Sequence, residues 1–131
     1  VSGDILDIDA LIVAHNLPDD FGGILIDAPC SGTGTLRRHP EIRWKLNADD
    51  IDCMADSGLE MLKAAARHIK HGGFIVYSTC SVFRQENEQL VDRFLATPEG
   101  RCFQLAEACT RVDLVPSGPD AHFAARLIHL S

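Results

Sequence analysis

The stretch Phe21 to Gly34, FGGILIDAPCSGTG, constrains the fold of this chain more than any other. Gly22 and Gly23 predict a tight turn, and Ile24-Leu25-Ile26 is a short unbroken apolar run of the kind carried by strands buried on both faces. The run stops at Asp27-Ala28-Pro29-Cys30, and Ser31-Gly32-Thr33-Gly34 then loosens the backbone. An acid, a proline and a thiol at the carboxyl end of a buried parallel strand lie where open α/β sheets bind ligands. A second stretch repeats the plan: His71-Gly72-Gly73 leads into Phe74-Ile75-Val76-Tyr77, which ends in Ser78-Thr79-Cys80-Ser81. The pattern predicts strands over 23–26 and 74–77, adjacent and parallel, with both thiols at one edge of the sheet.

The remaining segments complete an alternating order. Val1-Ser2-Gly3-Asp4 reads as a strand end with Asp4 at its carboxyl tip, and Ile5 to Leu17 has a weak helical pattern closed by Pro18. Asn47 to Lys70 is the clearest helix, capped by Asn47 or Asp49 and stopped by Gly72. Its apolar positions Ile51, Met54, Leu59, Leu62, Ala65, Ala66 and Ile69 form one face. Gly58 weakens it by ~1 kcal/mol and marks a place for a bend. Met54 and Cys53 read as packing residues. A second amphipathic helix runs from Arg84 to Ala96, burying Val82, Leu90, Val91, Phe94 and Leu95. Strands are expected over 102–106 and 123–130, forming an antiparallel hairpin. The fold class is therefore α/β, a layered sheet of parallel strands with a terminal antiparallel hairpin.

Composition narrows the function classes. With 131 residues the chain makes one small domain, and no apolar run approaches the ~20 residues of a membrane span. Its five cysteines form no CxxC pair, which fits a reduced cytoplasmic compartment better than a disulfide framework and matches no zinc spacing. Cys102 and Cys109 have no motif around them and read as inert. The net charge of −7 excludes nucleic-acid binding by bulk electrostatics. One local exception lies in the connection from Gly34 to Asn47. There Arg37, Arg38, Arg43 and Lys45 face a single acid, Glu41, and Trp44 is the only tryptophan. Interleaved cations and an aromatic suit phosphate contact and base stacking, while a solvated loop with Trp44 folded onto the core is the plainer alternative.

A thiolate attacks electron-poor ring carbons, and only the deprotonated form does so. Backbone amides aimed at a strand-end cysteine would lower its pKa. A lone cysteine there is more often a packing residue, but two in matched positions, one flanked by Asp27 and Pro29, point to a nucleophile and a helper.

IDAPCSGTG followed by RRHPEIRW, then GGFIVYSTCSV, QENEQLV and the terminal HFAARL together resemble the Nop/Sun family of RNA (cytosine-5) methyltransferases. The bacterial members that modify 16S ribosomal RNA look nearest. The resemblance implies a Rossmann-like fold dependent on S-adenosylmethionine, of which residues 1–131 form the carboxyl-terminal half of the catalytic domain. It implies that Cys80 is the nucleophile toward carbon 6 of cytosine, and that Cys30 assists release of the methylated product. It implies that Asp27 faces both the methyl donor and the base, that Pro29 holds the turn beside them, and that Asp4 reads the adenine amine of the cofactor. Arg37, Arg38, Arg43, Trp44 and Lys45 would meet RNA, ribosomal RNA being the expected substrate.

The family usually has a proline at the position of Arg84 and a glycine-phenylalanine pair near Ala121-His122. Its glycine-rich cofactor loop, ribose-binding acid and catalytic lysine lie upstream of what this sequence contains, so a fragment is expected. Strand 23–26 would then present an edge suited to self-association. A binding or scaffolding half-domain that has lost catalysis is the alternative function. A thiol hydrolase is a third, for which none of the six histidines (15, 39, 68, 71, 122 and 129) has a supporting motif.

Overall fold

A computed structural model describes residues 2–130. The chain forms a mixed α/β sheet with its helices packed on one face. Strand β1 (Phe21–Asp27) pairs in parallel with β2 (Ile69–Thr79), and β5 (His122–His129) lies antiparallel on the far side of β2. Two short strands, β3 (Phe103–Leu105) and β4 (Thr110–Val112), both pair antiparallel with β5 along its outer edge. The expected terminal hairpin is present, but its first arm is broken in two. The second piece, β4, was not foreseen because Thr110-Arg111-Val112 has all three side chains exposed and too few residues to show a period.

Both parallel strands start earlier than the apolar runs suggest. Gly22 and Gly23 lie inside β1, not in a turn before it. The register steps from Phe21↔Ile69 to Gly23↔Phe74, so the partner strand bulges between them. Gly72 supplies that bulge with a φ of 75°, in the left-handed region open to glycine. Residues 2–4 carry no strand. Asp4 instead caps a 3-10 turn, Ile5–Asp7, by accepting from Leu6 N at 2.9 Å, and helix α1 (Ile8–His15) follows. Val1 lies outside the described residues.

Helix α3 (Ala48–Ala66) opens on a reciprocal cap. Asn47 Oδ1 accepts from Asp50 N, and Asp50 Oδ2 accepts from Asn47 N, each at 3.0 Å. It ends four residues short of the expected Lys70. Buried His68 is held by its neighbours, since Phe21 N donates to its carbonyl and its Nδ1 lies 3.2 Å from Asp19 O. The helix runs unbroken through Gly58, where a bend was expected. A methyl group there would lie 2.9 Å from Tyr77 Oη and 3.0 Å from Leu90 Cδ1. The glycine is needed for close approach of helix to sheet.

Ile26 from β1, Ile75 and Tyr77 from β2, Phe123, Ala125 and Leu127 from β5, Leu62 from α3, and Leu90, Val91 and Phe94 from α4 (Glu88–Ala96) make one continuous core. The opposite sheet face is open: Leu25 is 71% exposed. Among the described residues β1 pairs along one edge only, and no helix is long and apolar enough to cross a membrane.

Candidate active site

Asp27 and Ser78 are register partners at the carboxyl ends of β1 and β2, and Ala28 N donates to Ser78 O at 2.9 Å beyond the last ladder pair. Each strand then releases its loop at the same sheet edge. The two loops converge until Cys30 Sγ and Cys80 Sγ are 3.4 Å apart. The expected adjacency of the two thiols is therefore observed. Gly34 locks the approach: its N–H donates to Cys80 O at 2.8 Å, and Ala121 N donates back to Gly34 O at 2.9 Å. A Cβ at Gly34 would sit 2.7 Å from Cys80 O and 2.5 Å from Ala121 O, so only glycine fits.

The group that fixes both loops is one that sequence reasoning assigned no role. Glu86 is 1% exposed. Its Oε1 accepts from Ser31 N at 2.7 Å and its Oε2 from the Ser31 hydroxyl at 2.7 Å, while the Ser81 hydroxyl donates to the same Oε2. One carboxylate thus holds the residue after each cysteine. Tyr77 Oη in turn donates to Glu86 O at 2.9 Å, and Gly58 gives that hydroxyl its room. Fully buried Asn87 reinforces the Cys80 loop by donating to Ser81 O and accepting from the Thr79 hydroxyl. From β4, Arg111 donates to Val82 O at 2.8 Å. A signal was available: at helical spacing Glu86 and Asn87 fall in line with Leu90, Val91 and Phe94, and a charged residue in line with apolar ones needs a buried partner, although the expected helix from Arg84 begins only at Glu88, after a 3-10 turn over Arg84–Glu86.

Burial is the main influence on Cys30 and pushes its thiol up to about 12, against a weaker pull downward from the Gly32 amide and a further upward push from the hydrogen bond with Cys80. The expectation that strand-end amides lower a thiol pKa is therefore corrected at Cys30, because the loops fold over it and desolvation outweighs the amide dipole.

A cleft of about 280 Å³ opens beside Cys30, lined also by Ser31, Ile42, Lys45, Cys53 and Met54. Cys53 and Met54 are exposed here, not packed into the core as their place in α3 suggested. The basic connection forms the cleft's outer wall through a short helix, α2 (Ile42–Lys45). Trp44 is 84% exposed, so it is not folded onto the core, and the Arg43 guanidinium lies 5.7 Å from its ring centroid. Arg37 and Lys45 are exposed. Arg38 is paired with Asp120, at 2.6 Å from Nη2, and ties the connection to the loop before β5. Asp27 and Pro29 are exposed at the tip of β1.

Two thiols in contact beyond the carboxyl ends of neighbouring parallel strands, clamped by a buried carboxylate, define an α/β protein with a paired-cysteine edge. Residues 1–113 match the family model of the 16S rRNA methyltransferase RsmB/F, and the chain belongs to that family. Ribosomal RNA small subunit methyltransferase B of Klebsiella pneumoniae is 40% identical over 114 residues, which cover 84% of this chain and 26% of that protein. Its counterpart in Vibrio cholerae is 49% identical over 84 residues, 63% of this chain and 19% of the relative. A methyltransferase homolog protein from Pyrococcus horikoshii shares the fold with a TM-score of 0.77 at 24% identity, over 98% of this chain and 43% of that one. The chain thus spans about a quarter or less of the curated relatives it matches.

Proposed function

We propose that this chain is the thiol-bearing part of a cytoplasmic enzyme that methylates carbon 5 of cytosine in ribosomal RNA through a covalent cysteine adduct. The observation that carries the reading is the 3.4 Å contact between Cys30 and Cys80 at one sheet edge. Family membership supports an RNA methyltransferase, and the resemblance of DAPCSGTG and STCS to the Nop/Sun family supports carbon 5.

Cys80 adds as thiolate to carbon 6 of the base, and the electron pair moves toward carbon 5. Asp27, exposed at the tip of β1, hydrogen-bonds the base edge and offsets charge developing on the ring. After carbon 5 has been methylated, water takes its proton, the electron pair left behind re-forms the carbon 5–carbon 6 double bond, and the carbon–sulfur bond breaks so that Cys80 leaves as thiolate. Cys30 lies against that sulfur and is kept as neutral thiol by burial, so its S–H donates to the departing thiolate and stabilises it.

Bound S-adenosylmethionine would supply an electrophilic methyl group. The residues present fit part of it: the exposed carboxylates of Asp4 and Asp27 are acceptors suited to its amines, and Pro29 exposes the turn between β1 and Cys30. Asp4 already accepts from Leu6 N, which fixes its orientation and leaves it able to accept again. The target base must be unstacked for a thiol to reach carbon 6. Exposed Trp44 offers a stacking surface, Arg37, Arg43 and Lys45 offer phosphate contacts, and Arg38 holds the connection in place through Asp120.

The test grafts this chain in place of the matching segment of the Klebsiella pneumoniae relative and supplies 16S rRNA and the methyl donor. Cys80→Ala abolishes methyl transfer and forms no adduct. Cys30→Ala accumulates a protein–RNA crosslink that survives denaturing electrophoresis. A crosslink trapped by Cys80→Ala alone reverses the two roles, and none with either variant ends the covalent reading. By the same proposal the chain on its own self-associates through the unpaired edge of β1, and a strictly monomeric light-scattering mass at all concentrations would count against it.

A further inference from the structure

Two free thiols in van der Waals contact are a redox pair as well as a catalytic one. Cys30 and Cys80 are both half-buried and both unpaired, with sulfurs 3.4 Å apart. A disulfide requires about 2.05 Å between sulfurs, so they need to close by about 1.4 Å. The loops carrying the two thiols are held together by Glu86 from beneath, through Ser31 and Ser81, and by the Gly34 to Cys80 backbone bond. Closing the bond therefore shifts side chains and leaves the strand pairing in place.

We propose that Cys30 and Cys80 form a reversible disulfide when the protein meets a hydroperoxide, and that this pair is an oxidation site that switches the thiol edge off. The Cys80 thiolate attacks a peroxide oxygen: an S–O bond forms, the O–O bond breaks, and the leaving hydroxide takes up a proton as water. Sulfur has lost two electrons to the peroxide and stands as sulfenic acid. Cys30 then attacks that sulfur: the S–S bond forms, the S–O bond breaks, and the departing hydroxide carries off the Cys30 proton as a second water. A dithiol reverses the change by exchange. Cys30 is suited to the second role, since it lies against the Cys80 sulfur and gives up its proton to the sulfenic oxygen as it attacks, whereas burial keeps it protonated and slow toward peroxide itself. The consequence is protective: a sulfenic acid that is captured at once does not advance to the irreversible sulfinic state.

Cys53 is the rival partner, because it is exposed and lines the same cleft as Cys30. It lies on α3, which the strand pairing does not hold against Cys80.

The inference stands on thiol geometry and not on the methyl-transfer reading, and its test involves no RNA. The purified, fully reduced chain is titrated with hydrogen peroxide and followed by intact mass, thiol counting and peptide mapping. The expected result is loss of two hydrogens, a fall from five free thiols to three, a crosslinked peptide pair containing Cys30 and Cys80, and full recovery with dithiothreitol. Cys53→Ser reacts as the parent does. Cys30→Ser leaves Cys80 as sulfenic acid that dimedone traps. A Cys30–Cys53 crosslink, or sulfinic acid at Cys80 with Cys30 untouched, overturns the proposal.

Discussion

The thiol edge and the basic connection lie side by side and are built on opposite plans. Beneath Cys30 and Cys80, polar groups are buried and fully engaged: Glu86 is 1% exposed and Asn87 0%, and each makes hydrogen bonds to more than one neighbour. Along residues 37–45 every side chain except the half-buried Ile42 is exposed, with Trp44 at 84%. The first plan suits a task in which two sulfurs must be kept in contact, and a low-dielectric site strengthens the bonds that hold their loops. The second suits contact with a partner that is absent until binding. Rigidity has been placed at the two thiols, and exposure along the basic connection.

The largest effect that can break this comparison belongs to Glu86. Glu86→Ala leaves Ser31 N, the Ser31 hydroxyl and the Ser81 hydroxyl without their acceptor. Unpaired buried donors cost about 1–3 kcal/mol each, with water able to reach some of them, so a net loss of about 3 kcal/mol is expected in urea denaturation. Glu86→Gln keeps one acceptor oxygen and the shape of the side chain, and recovers part of the loss. A change below about 0.5 kcal/mol for the alanine variant, the size of an ordinary surface substitution, would show that the clamp does not hold the loops.

Trp44 is expected to give the mirror image. Trp44→Ala removes an exposed ring with no buried contact to lose, so stability moves by no more than about 0.5 kcal/mol. Affinity for a single-stranded RNA falls by about 1–3 kcal/mol if a base stacks there, which is roughly 5- to 150-fold. Fluorescence anisotropy with a labelled oligonucleotide reads it. Loss of stability without loss of RNA affinity would turn Trp44 into a structural residue and remove the contrast between the two regions.

The two regions also differ in how far the sequence disclosed them. The strands that carry the thiols were readable because an unbroken apolar run ending in Asp-Ala-Pro-Cys or Ser-Thr-Cys-Ser has few places to go in a layered sheet. The parallel pairing and the meeting of Cys30 with Cys80 followed from that. The clamp was hidden because an acid near the start of a helix is first read as a partner for the helix dipole. Only the stripe shared with Leu90 and Phe94 marks Glu86 as buried. Gly58 misled in the same way: intrinsic propensity speaks for a bend, whereas the close approach to Tyr77 and Leu90 decides the matter. Cys53 and Met54 were assigned to the core by period alone, and the cleft beside them is a tertiary feature that no local pattern contains. The exposure of Trp44 could not be read from the composition of its loop.

The smallest effect concerns protons at the thiol edge. Burial raises Cys30 from the ordinary thiol value of 9.0 to about 12 in the folded chain. In the unfolded chain the group loses its proton near the ordinary value. Between the two, the native state holds a proton that the unfolded state has released, so stability falls as pH rises from about 9 toward about 12 and is unaffected by this group below that window. The thiol is only partly shielded, so solvent screening limits the loss to on the order of 1 kcal/mol. Tyr77, raised by burial as well, adds to the alkaline fall in every variant that keeps it, which makes a difference measurement necessary. Cys30→Ser and the parent are compared by urea denaturation at about pH 8 and about pH 11, and the serine variant is expected to lose less on going up. Parallel curves for the parent and Cys30→Ser would mean that Cys30 is open to solvent, and the buried half of the comparison would then lose its electrostatic support.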